Sequence, residues 1–339
     1  MGIAITGGGT GGHLAVARAI KEELNRQGVN PIFIGSINGQ DRTWFEDDEG
    51  WEATYFLDTR GVVNKNLLGK FSALWDIIKA SKTSISLFQK HAISTVISVG
   101  GYSAAPASFA AVATQKKLVI HEQNAVTGRL NTLLRSKASL FCSSFDPQSP
   151  CKDYPIAHHF FGQGRIRSCI STIIFLGGSQ GAQAINDLAM ALTPRLITRG
   201  IRIIHQTGRN DYDRVATFYK CNCYNVDVFP FDKDIVTRYA QADLAISRAG
   251  ASALFELAAN ALPTVFVPYP HAAGDHQKAN AKFLVDRNLG WMMEQNTIDP
   301  DAIIDLLAQD LSTISEGLQN FIQPHGARCI VDAILRGEA

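Results

Sequence analysis

One stretch, residues 244–280, constrains the fold of this chain more than any other. A short apolar run at 244–246 has the pattern of a strand buried on both faces, and it breaks at Arg248-Ala249-Gly250. Residues 251–260 then carry Leu254, Leu257 and Ala258 at helical spacing, and Pro263 prevents the helix from continuing. A second apolar run at 264–267 reads as the next strand, and the polar loop 271–277 opens the next helix. Glycine at a strand-to-helix turn lets backbone approach a ligand, while the new helix offers unpaired N–H groups and a positive dipole end. In a parallel sheet Glu256 and Gln277 both fall near the carboxyl edge, where open α/β folds bind ligands. A carboxylate and an amide there suit ribose hydroxyls and leave the helix start for a diphosphate. No lysine follows the glycines, so the pattern favours a nucleotide sugar over a nucleoside triphosphate.

The same alternation runs through most of the chain. Strand patterns at 3–6, 31–34, 95–99, 118–120 and 140–142 alternate with helical patterns at 14–26, 66–89 and 104–114. The alternation lapses at 151–168, which Pro155, Gly162 and Gly164 punctuate, and restarts at 172–176. With 339 residues the chain is long for one core. The expected architecture is α/β: two doubly wound parallel-sheet domains, 1–160 and 168–324, with a cleft between them. The end of the chain, 321–336, reads as helical around a break near Pro324-His325-Gly326. A formal net charge of +1 gives no global field for nucleic acid. No apolar run has the length of a membrane span. Six scattered cysteines, at 142, 151, 169, 221, 223 and 329, complete no zinc set and read as reduced thiols.

Three glycine turns recur after strands: GGGTGG at 7–12, VGGY at 99–102 and GGSQG at 177–181. Gly7, Gly9 and Gly12 satisfy the dinucleotide spacing, but the second strand ends Ile34-Gly35-Ser36 without the acidic ribose anchor. Arg42 offers the one argument for a 2′-phosphate, which keeps an NADP-binding protein as an alternative. Asp-x-Asp occurs at 211/213, 232/234 and 299/301, each near an expected helix start, so helix capping is favoured over metal and no metal requirement is expected. His13 follows the first turn, and His121-Glu122-Gln123-Asn124 follows the 118–120 strand. His13 is the first candidate to take a proton from a sugar hydroxyl, and Glu122 the second.

Together TGGGTGGH at 6–13, SVGGYSAAP at 98–106, HEQNAVTGRLN at 121–131, LGGSQGAQAIN at 176–186, QTGRND at 206–211 and the 248–281 stretch resemble the MurG family of peptidoglycan glycosyltransferases. That resemblance implies a GT-B fold of two Rossmann-like domains, with a C-terminal helix at about 325–339 packing back on the first, and no cofactor. It implies inverting transfer of N-acetylglucosamine from UDP-GlcNAc to the MurNAc 4-hydroxyl of lipid I, making lipid II. A nucleotide-sugar-binding protein without transferase activity is the alternative from another class. By resemblance Thr10, Gly11 and Gly12 face the donor sugar or the acceptor phosphates, and Asn124 contacts the sugar. Ser179 reaches the diphosphate or uridine. Ala251, Ser252, Ala253, Leu254, Phe255 and Glu256 hold the nucleotide, with Glu256 on the ribose, and Gln277 binds the sugar. The family's linker arginine matches Arg167, with Arg165 as the second choice. Where the family has an isoleucine near the uracil, this chain reads Phe231-Asp232-Lys233-Asp234.

The lipid-linked acceptor also implies a peripheral place on the cytoplasmic face of the inner membrane, with other cell-wall synthesis proteins as further partners. Leu67, Leu68, Phe71, Leu74, Trp75 and Ile78 share one helical face, with Lys65, Lys70, Lys79 and Lys82 around it. This stripe either packs into the first domain's core or meets an anionic membrane surface.

Overall fold

The computed structural model describes residues 2–59, 67–178, 180–232 and 234–338, without the side chains of residues 67–73. The chain divides into two compact units, residues 1–157 with 324–339, and residues 158–323.

In the first unit the order is β1 (Gly2–Thr6), α1 (Gly11–Arg26), β2 (Ile32–Ser36), α2 (Asp41–Phe45), β3 (Ala53–Leu57), α3 (Leu67–Lys90), β4 (Ile93–Ser98), α4 (Ala105–Ala113), β5 (Lys117–Glu122), α5 (Arg129–Leu134) and β6 (Leu140–Ser143). The strands pair in parallel in the order β3-β2-β1-β4-β5-β6. The apolar runs of β1, β2, β4 and β5 lie in the middle of this sheet, where both faces are covered. β3 was not expected from the sequence. As an edge strand it is only half buried, so it lacks the continuous apolar run of its neighbours. Ala4, Ile34, Val96, Ile120, Phe88 and Ala110 form part of the core.

The second unit runs β7 (Thr172–Leu176), α6 (Gln183–Thr198), β8 (Arg202–Gln206), α7 (Tyr212–Cys221), β9 (Asp227–Phe229), α8 (Val236–Gln241), β10 (Leu244–Ser247), α9 (Ala251–Ala259), β11 (Thr264–Phe266), α10 (His276–Val285), β12 (Trp291–Met292), α11 (Pro300–Leu306) and α12 (Ser312–Phe321). Its order, β12-β11-β10-β7-β8-β9, is the same topology as the first sheet, and all its pairs are parallel. In each sheet the order reverses beside the first strand: between β1 and β4, and between β7 and β10. Those are the switch points at which such sheets bind ligands.

The last helix, α13 (Gly326–Leu335), belongs to the first unit. Its buried Ile330, Val331 and Ile334 face inward, and Gln27 Nε2 on α1 donates to Asp332 Oδ1 at 2.9 Å. One expectation is corrected here. Cys151 and Cys329 form a disulfide with their Cα atoms 5.8 Å apart, so the six cysteines are not all free thiols. The pair is 178 residues apart in sequence and becomes adjacent only through the return of α13, which spacing alone does not reveal. The division between the units, at 157/158, falls inside the 151–168 stretch where the alternation lapses. Cys151 and Tyr154 are buried in the first, and Arg165 and Arg167 anchor to the second.

Candidate functional site

In the first unit the turn after β1 carries positive φ at Gly9, which leads into Thr10, the N-cap of α1. The Thr10 side chain does not cap the helix. Its Oγ1 lies 2.8 Å from His13 Nδ1 instead. The turn is held from two sides. Asp41, at the start of α2, accepts from Gly9 N at 2.5 Å and from Ser36 N at 2.9 Å. A Cβ on Gly9 would run into the Tyr102 ring, whose hydroxyl donates to the Asn38 carbonyl. Gly100, after β4, lies so close to His13 that a Cβ there would meet its ring at 3.3 Å. The turn after β1 and the turn after β4 therefore come together at the switch point.

The HEQN segment ends β5. Glu122 is buried and accepts from Asn124 N (2.9 Å), Gly128 N (2.9 Å) and Asn131 Nδ2 (2.8 Å). His121 is buried edge-on to Tyr154, and burial, with His13 close by, pushes its pKa down to about 3. It is neutral at physiological pH.

In the second unit the turn after β7 packs on backbone rather than on a side chain. A Cβ on Gly181 would meet the Thr207 carbonyl at 2.6 Å, and the Gly181 amide donates to Gly178 O at 3.2 Å. Among the described residues, no acidic side chain hydrogen-bonds to this turn. Beneath it Asn186 Nδ2 donates to Thr207 O (3.1 Å) and Asp211 (2.7 Å). After β10, Gly250 is the N-cap of α9, which places Ala251, Ser252 and Ala253 in the first turn of the helix, at the positive end of its dipole. Glu256, one turn further on, is half-buried, and burial pushes its carboxyl up to about 8. Arg248 crosses from the end of β10 to the Val267 and Pro268 carbonyls and to Gln295 Oε1 at 2.7 Å. Gln277 is the second residue of α10, and its Oε1 accepts from Tyr269 N at 2.9 Å.

Comparison with known proteins decides the family. The description "glycosyltransferase family 28 N-terminal domain" matches residues 3–140, and its C-terminal counterpart matches residues 172–324. A protein of Sulfurovum sp. (strain NBC37-1) is 49% identical over 334 residues, covering 98% of each chain. One of Wolinella succinogenes is 48% identical over 335 residues, covering 99% of this chain and 100% of its own. Both are named as UDP-N-acetylglucosamine–N-acetylmuramyl-(pentapeptide) pyrophosphoryl-undecaprenol N-acetylglucosamine transferases. The crystal structure of Acinetobacter baumannii MurG is similar at 28% identity and a TM-score of 0.76, covering 98% of both chains. The chain belongs to the MurG family.

The structure gives several expected site residues intramolecular partners. Both carboxylate oxygens of Glu122 accept hydrogen bonds, from the loop that follows β5 and from Asn131 on α5. Arg167 is only 1% exposed, and its guanidinium donates to the carbonyls of Arg165, Tyr239, Ala242 and Asn260. Burial pulls its pKa down to about 9, and it ties chain segments of the second unit together. Arg165 pairs with Asp243 at 2.5 Å. Leu254 is fully buried and its amide is already bonded to Gly250 O. Phe255 stacks on Phe321 at 6.5 Å. Ala251, Ser252, Ala253 and Glu256 complete the expected α9 set, the first three in the first turn of the helix. Ser179 lies outside the described residues.

Of the Asp-x-Asp pairs, the one at 299/301 caps a helix as expected, Asp299 accepting from Asp301 N at 2.9 Å at the start of α11. The other two do not cap: Asp232 accepts from Asp234 N at 2.8 Å ahead of α8 and pairs with Arg238, and Asp211 is held by Asn186 and Arg214. On α3 the buried face is Ile77, Ala80, Ser84, Leu87 and Phe88. Leu74, Trp75 and Ile78 point outward, 51%, 69% and 42% exposed, with exposed Lys79 and Lys82 beside them. The stripe therefore does not pack into the core at these positions. Lys65 and the side chains of Leu67, Leu68, Lys70 and Phe71 lie outside the described residues. Sequence reasoning missed Asp41. It searched for an acid at the end of β2 and stopped at Ser36, five residues short of the one that reaches back to the glycine turn.

Proposed function

We propose that the two units divide one reaction, the first taking the acceptor and the second the nucleotide sugar. The chain is a UDP-GlcNAc-dependent N-acetylglucosaminyltransferase. It moves GlcNAc to the MurNAc 4-hydroxyl of undecaprenyl-pyrophosphoryl-MurNAc-pentapeptide and so makes the lipid-linked disaccharide of peptidoglycan synthesis. Near-full-length identity to named transferases sets aside the alternative of a binding protein without transferase activity. The dinucleotide alternative also loses its local support. Asp41 occupies the Gly9 amide, and Arg42 is paired with Glu46 at 2.6 Å.

The donor reading rests above all on one observation, the half-buried Glu256 carboxylate one turn into the helix whose first turn follows the Gly250 N-cap. Ribose hydroxyls donate to Glu256, and the diphosphate meets the start of α9 and the turn after β7. Gln277 keeps its Nε2 for the sugar while its Oε1 holds the loop. As UDP departs, negative charge grows on the β-phosphate. Preset amides stabilise it without reorganising. In the first unit, if His13 Nδ1 carries the proton and donates it to Thr10 Oγ1, then Nε2 is the lone-pair nitrogen left to take the acceptor proton.

The acceptor's lipid tail keeps the first unit at a membrane surface. The outward Leu74, Trp75 and Ile78 enter the headgroup region, and the lysines around them face anionic lipid on the cytoplasmic side of the inner membrane. Among the described residues, no helix is long and apolar enough to cross a membrane. The activity is tested by incubating the full chain with UDP-GlcNAc and a short-chain lipid I analogue and following UDP release. Acceptor-dependent release is expected, and release at the same rate without acceptor would contradict transfer.

A further inference from the structure

We infer that Asp41 is a positioning residue for transfer: its carboxylate fixes the glycine turn after β1 that sets Thr10 and His13. The inference rests on the reading that His13 takes the acceptor proton. Asp41 is 0% exposed, and among the described residues no cation pairs with it. Burying a carboxylate without a counter-ion is unfavourable, and burial raises the Asp41 pKa above the usual carboxylate range. What the carboxylate gains is two backbone amides from different turns. Oδ1 receives Gly9 N at 2.5 Å and Oδ2 receives Ser36 N at 2.9 Å, so one side chain joins the carboxyl ends of β1 and β2.

The fit leaves no room for the turn to drift. A Cβ on Gly8 would lie 2.5 Å from Asp41 Oδ1, and one on Gly35 would lie 2.9 Å from Oδ2. Tyr102 closes the opposite side, its ring against Gly9 and its hydroxyl on the Asn38 carbonyl. Ser36, the other anchor, is itself tied down, with its Oγ donating to Thr59 O at 2.9 Å. Gly9 is covalently next to Thr10, and Thr10 Oγ1 holds His13 Nδ1 at 2.8 Å. A shift at Gly9 is thus passed within one residue to the group that orients the imidazole. Asp41 touches no substrate in this scheme and acts through His13.

Asp41→Asn keeps the shape but turns an NH2 against one of the two amides. The full chain is assayed with UDP-GlcNAc and a short-chain lipid I analogue, beside His13→Ala and the double variant. Melting temperature and UDP affinity are measured for each. Expected for folded Asp41→Asn are a kcat lower by about 10- to 100-fold, unchanged UDP affinity and an unchanged donor KM. The double variant is expected to be no slower than His13→Ala alone. A purely structural role would lower the melting temperature without that non-additivity. If Asp41→Asn proves too unstable to assay, Asp41→Ser, which opposes neither amide, is read by the same criteria. Wild-type kcat in the folded variant, or losses that multiply in the double variant, overturns the inference while His13 stands. Unchanged turnover in His13→Ala overturns both.

Discussion

The turn after β1 and the turn after β7 occupy the same place in two sheets of the same strand order, yet they are built for opposite purposes. The first has a buried carboxylate on its Gly9 amide and a tyrosine ring against its backbone. The second packs on the Thr207–Gly208 backbone, and among its described residues no acidic side chain is bonded to it. A carboxylate repels a phosphate at that spot, so in the first unit the glycines serve close packing and the placement of His13. In the second, among the described residues, no such charge stands in the way of the diphosphate proposed to meet that turn. Shared topology supplies two equivalent edges, and one acidic side chain arriving from a neighbouring turn decides which of them accepts charge.

The largest effect that can break this comparison is on chemistry. His13→Ala should slow transfer by about 10²- to 10⁴-fold while UDP affinity stays put. Turnover at the wild-type rate would leave the first turn without its assigned task. Next comes Glu256→Ala, which removes a charged acceptor from the ribose and should weaken UDP by about 1.5–3 kcal/mol. The same carboxyl gives a pH test. Its pKa is raised to about 8 in the folded protein, so it is largely protonated at pH 7, whereas the ribose hydroxyls favour the ionised form. UDP binding at pH 7 should therefore release a proton, and affinity should rise as pH increases from 6 towards 8. Calorimetry in buffers of different ionisation enthalpy reads this directly, and proton uptake on binding would contradict it. By linkage, a raised acid pKa means the folded state holds the extra proton, so this group's contribution to stability falls as pH rises from about 4.5 through 8.

Smaller changes sharpen the contrast. Ala253→Asp places in the second unit the kind of charge that Asp41 gives the first. It should leave the melting temperature unchanged or raised, since an acid suits a helix start, and should weaken UDP by about tenfold. Gln277→Ala should reduce affinity for UDP-GlcNAc by about 0.5–1.5 kcal/mol and leave UDP alone, and an equal loss for both ligands would show that Gln277 does not read the sugar. Least of all, reversing charge beside Trp75 with Lys79→Glu and Lys82→Glu should cost about 1 kcal/mol each in binding to anionic vesicles, lost at high salt. Sedimentation unchanged by both substitutions would separate α3 from the membrane.

What the sequence revealed and what it hid divide along range. Apolar runs, the glycines behind them and the helical stripe of residues 251–260 are local patterns, so the two doubly wound units and the switch-point turns were legible. Contacts of long sequence separation were not. Asp41 meets Gly9 from 32 residues away, Arg167 meets carbonyls on α8 and near α9, and Cys151 meets Cys329 only through the return of α13. Glu122 was correctly placed at a strand's carboxyl end, but its three donors, two in the loop that follows and one on α5, could not be read from residue type. β3 stayed hidden because an edge strand need not be apolar on both faces.

The division between a charge-filled turn and an open one is tested most directly by titrating UDP into the full chain, its His13→Ala variant and its Glu256→Ala variant under one set of conditions. The account predicts that His13→Ala binds UDP as the wild type does and that Glu256→Ala loses about tenfold or more in affinity. Comparable losses in both variants would contradict it, because the first turn would then share in holding the nucleotide.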